Sequence, residues 1–282
     1  MIFSHLKSVF SLLLMSIVGL VAGSQSAGAQ EMQYPLAVVK AANDVIYVAD
    51  RNLPGIWKIE GGKASIYFQG SKKFRTPLNA VRCLALDAQG NLYAGDTSTR
   101  EIYKFDAQGQ PQPLTKGYIG IPMGIAFDSK GQMFVADLER QCIFQVGADA
   151  KVTEFVKIQG ARGLAIDKQD RVWVLTNTGD ALVRFKADKS KEVVVSGAPF
   201  EFANQMVLDD ADNAYLCDGY AHAVVMLPVG GQPKKLASGD PLNHPVGITL
   251  SGEQLLIADP HAKTIFSLAK DGTGKPEKVF PR

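Results

Sequence analysis

The stretch IPMGIAFDSKGQMFVAD (121–137) decides the fold. Asp128 opens the turn DSKGQ, where a carboxylate caps free backbone N–H groups and Gly131 tolerates a left-handed backbone. The runs on either side, GIAF (124–127) and MFVAD (133–137), are short and rich in aromatic and β-branched residues. They read as two strands joined by a tight turn, not as helix.

Outward from this stretch the pattern repeats. Runs like MFVAD end at Asp50, Asp96, Asp137, Thr176, Asp218 and Asp259, at intervals of 46, 41, 39, 42 and 41 residues. That is the period of a propeller blade. Six residues after each marker stands an aliphatic residue: Ile56, Ile102, Ile143, Leu182, Val224, Ile265. Nine after it stands another apolar one: Ile59, Phe105, Val146, Phe185, Leu227, Leu268. Asp87, Asp128, Asp167 and Asp209 open turns nine residues before their markers. Each repeat is therefore four strands, which in the third repeat fall near 123–127, 132–136, 142–146 and 152–157. The expected fold is all-β, a six-bladed β-propeller of four-stranded antiparallel blades. Closure of the ring also removes exposed sheet edges. The first repeat starts near Pro35 and the last ends with PEKVF (276–280). Blade 1 is expected to pack directly on blade 6, with at most a short strand exchange by residues 30–34.

Residues 1–29 stand apart from the repeats. Lys7, an apolar run from Val9 to Val21 and the Ala27-Gly28-Ala29 step follow the order of a cleaved secretory signal. The run is too short to span a membrane. The expectation is a secreted or periplasmic protein whose propeller occupies 30–282, with no membrane contact after cleavage. Net charge is +2 over 282 residues, which gives no strong pull toward nucleic acid or anionic membranes. Cys83, Cys142 and Cys217 read as small buried hydrophobes, with one disulfide plus a free thiol as the alternative.

The pattern P-x-G-I-A-x-D, then G-x-x-[YF]-V-A-D, then I-x-x-F resembles the NHL repeat, and HPVGITLSGEQLLIAD (244–259) is a second copy. The likeness covers about residues 34–280. It also extends to the SMP-30 and strictosidine-synthase-like propellers, which include lactonases and hydrolases. The resemblance implies a propeller and leaves the activity open, because fold does not fix function.

The markers, the loops after them and the loops that enter the channel share one end of the propeller. Fourteen residues before the marker, at the channel mouth, stand Leu36, Arg82, Met123, Arg162 and Asn204, with Val246 in the last blade after a one-residue deletion. Arg82, Arg162 and Asn204 suit an anion such as a carboxylate or phosphate. The other reading pairs the arginines with marker carboxylates in a wet channel. His222, His244 and His261 fall at the same end beside Asp218, Tyr220 and Asp259. His244 as base, supported by Asp218, Asp259 and His222, is the catalytic candidate set.

A metal lactonase of the SMP-30 kind implies Glu, Asn and Asp at the mouth positions. Here only Asn204 matches, and two arginines repel a cation. A divalent metal is thus disfavoured and no cofactor is expected. The propeller lyases that hold zinc by histidines from well-separated blades fit poorly, since the histidines here cluster in blades 5 and 6. The leading reading is an extracytoplasmic, monomeric module that binds a small anionic ligand or a protein partner through its mouth; the alternative is a hydrolase or lyase. Trp57 and Tyr67 belong to a partner patch or to packing between blades.

Overall fold

A computed structural model describes residues 31–280. All regular structure in this span is strand: six sheets of four, each antiparallel and in simple sequence order. The innermost strands are Pro35–Lys40, Val81–Leu86, Pro122–Phe127, Ala161–Ile166, Ala203–Leu208 and Gly247–Ser251. They meet one another around a central channel, and Pro35–Lys40 closes the ring against Gly247–Ser251. In blade 3 the next strands are Met133–Asp137, Cys142–Val146 and Val152–Lys157, within a residue of expectation. Each blade keeps its own four strands, so among the described residues the segment 31–34 exchanges no strand with blade 6. The candidate signal at 1–29 lies outside the described residues.

The core is divided into six hydrophobic clusters, each wedged between neighbouring blades. The fixed apolar offsets of the sequence supply them. Ile56, Ile102, Ile143, Leu182, Val224 and Ile265 are all fully buried. The seam between blades 6 and 1 is filled by Met32, Val48, Trp57, Leu256 and Ile265. Trp57 is thus packing, and its Nε1 donates to Asp50 at 3.1 Å. Tyr67 likewise packs against Tyr47 and Phe105. All three cysteines are buried free thiols. Burial pushes Cys83 up to about 12 and Cys142 up to about 11, so neither is a nucleophile at neutral pH.

The turn aspartates do what their spacing implies. Asp87 accepts the N–H groups of Gln89 and Asn91, and also the Tyr93 hydroxyl at 3.1 Å. Asp209 repeats this with Ala211, Asn213 and Tyr215. In blade 4, Trp173 Nε1 donates to Asp167 at 2.6 Å and Arg171 adds an ion pair at 2.6 Å. Burial works to raise the Asp167 carboxyl, but these donors outweigh it and hold it below its usual value.

Candidate functional site

The marker aspartates are buried knots that tie two loops together at the mouth end. Asp259 accepts the backbone N–H groups of Asn243 (2.7 Å), His244 (2.9 Å), His261 (3.1 Å) and Ala262 (2.9 Å). Asp218 accepts those of Glu201 (2.9 Å), Phe202 (2.7 Å) and Ala221 (3.5 Å). Asp50 and Asp137 do the same in their blades. The oxygens of Asp218 and Asp259 are committed to backbone, so Asp259 positions His244 and His261, and Asp218 positions Phe202, through the main chain. Among the described residues no carboxylate bonds an imidazole.

Blade 4 inverts this arrangement. Thr176 Oγ1 faces the carbonyl oxygens of Thr178 (2.9 Å) and Asp180 (2.8 Å), where its counterparts face N–H groups. The rebuilt loop brings Asn177 over the mouth. With its amide donating to Ala203 O at 3.1 Å, Asn177 accepts from Arg162 Nε.

Arg82 is the unpaired residue of a β-bulge, since Val81 pairs with Asp96 and Cys83 with Gly95. Arg162 and Asn204 lie in equivalent bulges of blades 4 and 5. A bulge re-aims one side chain without ending the strand. Blade 6 has no such shift, which is what its one-residue deletion removes. Among the described residues, neither Arg82 nor Arg162 has a carboxylate within ion-pair distance. Burial, and then the charge of Arg51, lowers the Arg82 guanidinium. Burial, and then the charge of Arg82, lowers Arg162. Arg162 therefore senses the Arg82 charge across the mouth, and both guanidinium groups stay charged. Asn204 is buried and its amide bonds Phe202 O at 3.3 Å.

A continuous stack runs from Arg162 around half the mouth. The Arg162 guanidinium lies 4.3 Å from the Phe202 ring centroid. Phe202 stacks on Tyr220 at 4.5 Å, Tyr220 meets His244 at 5.4 Å, and His244 stacks on His261 at 4.5 Å. Tyr34 closes the arc, 6.1 Å from His261. Gly219 permits the His244 position, because a Cβ there would lie 2.7 Å from its Cε1. Burial, and then the neighbouring His261, lowers His244, so its imidazole is neutral at pH 7. His222 is exposed and turned aside, its Nδ1 against Asn243 O.

Below the mouth the channel encloses about 290 Å³ and is lined by apolar residues of all six innermost strands. Gln205 bridges it, with Nε2 donating to Met123 O two blades away. Sequence reading passed over Gln205, Tyr34 and Phe202. The signal for Gln205 was present, because the same register holds Ala37, Cys83, Gly124, Gly163 and Gly247 in the other blades. The residues do not fit a divalent cation. The mouth carries two guanidinium groups, and among the described residues no three His, Cys, Asp or Glu side chains are grouped to hold one.

The fold and the mouth together define a closed six-bladed β-propeller with a charged, aromatic mouth. The chain belongs to the SMP-30/Gluconolactonase/LRE-like family, whose model matches residues 21–235. The human E3 ubiquitin-protein ligase TRIM32 is 32% identical over 83 residues, which is 29% of this chain and 12% of that protein; the mouse protein is 31% identical over the same share. The chain thus spans 12% of the length of these curated relatives. Virginiamycin B lyase from Staphylococcus aureus superposes with a TM-score of 0.69 at 15% identity, over 90% of this chain and 87% of that one. The gluconolactonase XC5397 from Xanthomonas campestris gives 0.71 at 14% identity, over 85% and 86%. A chain of a nidogen/laminin complex gives 0.65 at 18% identity, over 83% and 89%. At these identities the structures share the fold.

Proposed function

We propose that the mouth binds a small anionic ester or lactone and opens it by hydrolysis or elimination, with His244 as the base. One observation carries this reading: Arg82 and Arg162 stand half-buried with no carboxylate in ion-pair distance among the described residues, at the same mouth as an imidazole held neutral, which the rings of Phe202 and Tyr220 link to Arg162. An unpaired buried charge is costly unless a ligand completes it. A neutral imidazole accepts the proton, from water or from carbon, that such chemistry must remove. The guanidinium pair meets the negative charge that develops on the substrate. Membership of the family and the lyase and gluconolactonase folds support an enzyme. A histidine-to-alanine variant of the S. aureus lyase is described as catalytically inactive. The order of residues 1–29 supports a site of action outside the cytoplasm.

The second reading is a binding module without turnover. It is favoured by the commitment of Asp218 and Asp259 to backbone N–H groups, which leaves His244 no carboxylate to orient it. One experiment separates the two. Wild type, His244→Ala and Arg82→Ala/Arg162→Ala are assayed on an ester and lactone panel, with thermal shift against the matching carboxylates. Turnover lost in His244→Ala with the thermal shift retained supports the enzyme. A thermal shift lost only in the arginine double variant, with no turnover in wild type, supports the module. Retention of both responses in the double variant overturns the anchor assignment.

A further inference from the structure

Three of the five large hydrophobic side chains exposed among the described residues are aromatic and sit in loops at the mouth end: Phe74, Tyr118 and Tyr220. Phe74, at 72%, is the most exposed of them. It crowns the 70–80 loop, which accounts for the longest marker interval, 46 residues. Lys72 and Lys73 precede it, Arg75 follows it, and no acidic residue occurs between 70 and 80. None of these three cations forms an ion pair among the described residues. The Arg75 guanidinium lies 5.5 Å from the Phe74 ring. The next mouth loop repeats the pairing, with Arg140 4.7 Å from the Tyr118 ring.

The loop holds its tip outward by its own bonds. Thr76 Oγ1 donates to Lys73 O at 2.7 Å, Asn79 Nδ2 donates to Ser71 O at 2.6 Å, and Arg75 N reaches Ser98 Oγ at 3.4 Å. A cation held beside an aromatic at a loop tip is amphipathic on a scale of one side chain. Scattered exposed apolar residues alone carry no message. Here the three exposed aromatic tips lie at one end, and two of them, Phe74 and Tyr118, are accompanied by cations.

We propose that this sector of the mouth end docks reversibly on an anionic lipid interface. Phe74 and Tyr118 enter the headgroup–acyl boundary, and Lys72, Lys73, Arg75 and Arg140 meet the headgroups. Aromatic rings favour that boundary, and basic residues near it are drawn by anionic lipid. A fluid surface accepts protruding tips in separate loops, whereas a folded partner needs hollows that match them. The overall charge of +2 gave no such expectation, because it averages a local cluster of cations against acids elsewhere.

The test is co-sedimentation of the purified protein, its N-terminus identified by mass spectrometry, with vesicles of phosphatidylcholine alone or with added phosphatidylglycerol. All variants share that N-terminus, so any contribution from residues 1–29 is common to them. Wild type is expected to bind the phosphatidylglycerol vesicles, and the triple variant Lys72→Ser/Lys73→Ser/Arg75→Ser to bind them roughly a hundredfold more weakly. Phe74→Ser is expected to weaken binding several-fold with an unchanged Tm. Wild type that ignores phosphatidylglycerol overturns the proposal. So does a triple variant that binds as wild type does. Equal capture by soluble polyglutamate, insensitive to Phe74→Ser, overturns it in favour of an acidic protein partner.

Discussion

His244 and His261 are held face to face because one carboxylate, Asp259, takes the backbone N–H of each. Protonating both rings would place two charges 4.5 Å apart, so His261 disfavours the charged form of His244. His244 is lowered below its ordinary value, so as a base it is active above that lowered pKa and lost as pH falls through it. Replacing His261 with Ala removes the neighbouring positive charge and raises His244. The acidic limb of the pH–rate profile is then expected to move to higher pH, while its plateau is retained. Asp167 is lowered as well, but there the form that the fold favours is the charged one. Its folded-state value is depressed, so its contribution to stability is present above the unfolded carboxylate value and lost as pH falls toward the folded one. Trp173→Phe removes the indole bond and is expected to cost about 1 kcal/mol at neutral pH by urea denaturation. The cost should shrink in acid.

At the scale of the element, the blade repeat and its exception make different predictions. By repeat logic, Thr176→Asp restores the marker of the other five blades and should stabilise the protein. The structure predicts the reverse, because a carboxylate there would face the carbonyl oxygens of Thr178 and Asp180. The expected loss is about 1–3 kcal/mol by chemical denaturation. Gln205→Ala is expected to leave stability within about 0.5 kcal/mol, as a replacement outside the packed core does. It should open the channel below the mouth, detected as a change in KM with kcat retained. These elements also show what sequence could reveal. The strands were legible because marker, turn aspartate and apolar offsets lie within one repeat. Arg82 and Arg162 were legible because their register recurs. The stack from Arg162 to Tyr34 was not, because each contact joins loops of different strands or blades. Only the closed ring brings Phe202, Tyr220, His244 and His261 into line.

For the whole molecule, the six interblade clusters are equivalent in kind, but one of them has no chain running through it. Among the described residues the junction of blades 6 and 1 depends on side chains, with Met32 fully buried among Trp57, Leu256 and Ile265. Met32→Ala is expected to cost about 2–5 kcal/mol, read by urea denaturation, as a cavity there should. The ordered segment just after Glu31 is therefore part of the fold's closure. Many closed rings are stitched by a strand shared between first and last blades, which resists pulling in shear along a whole ladder of bonds. Here each blade keeps its own four strands. Tension applied to the two ends would be borne by an apolar contact that peels, so the ring should part first at this junction. The blades on either side should still be intact when it opens.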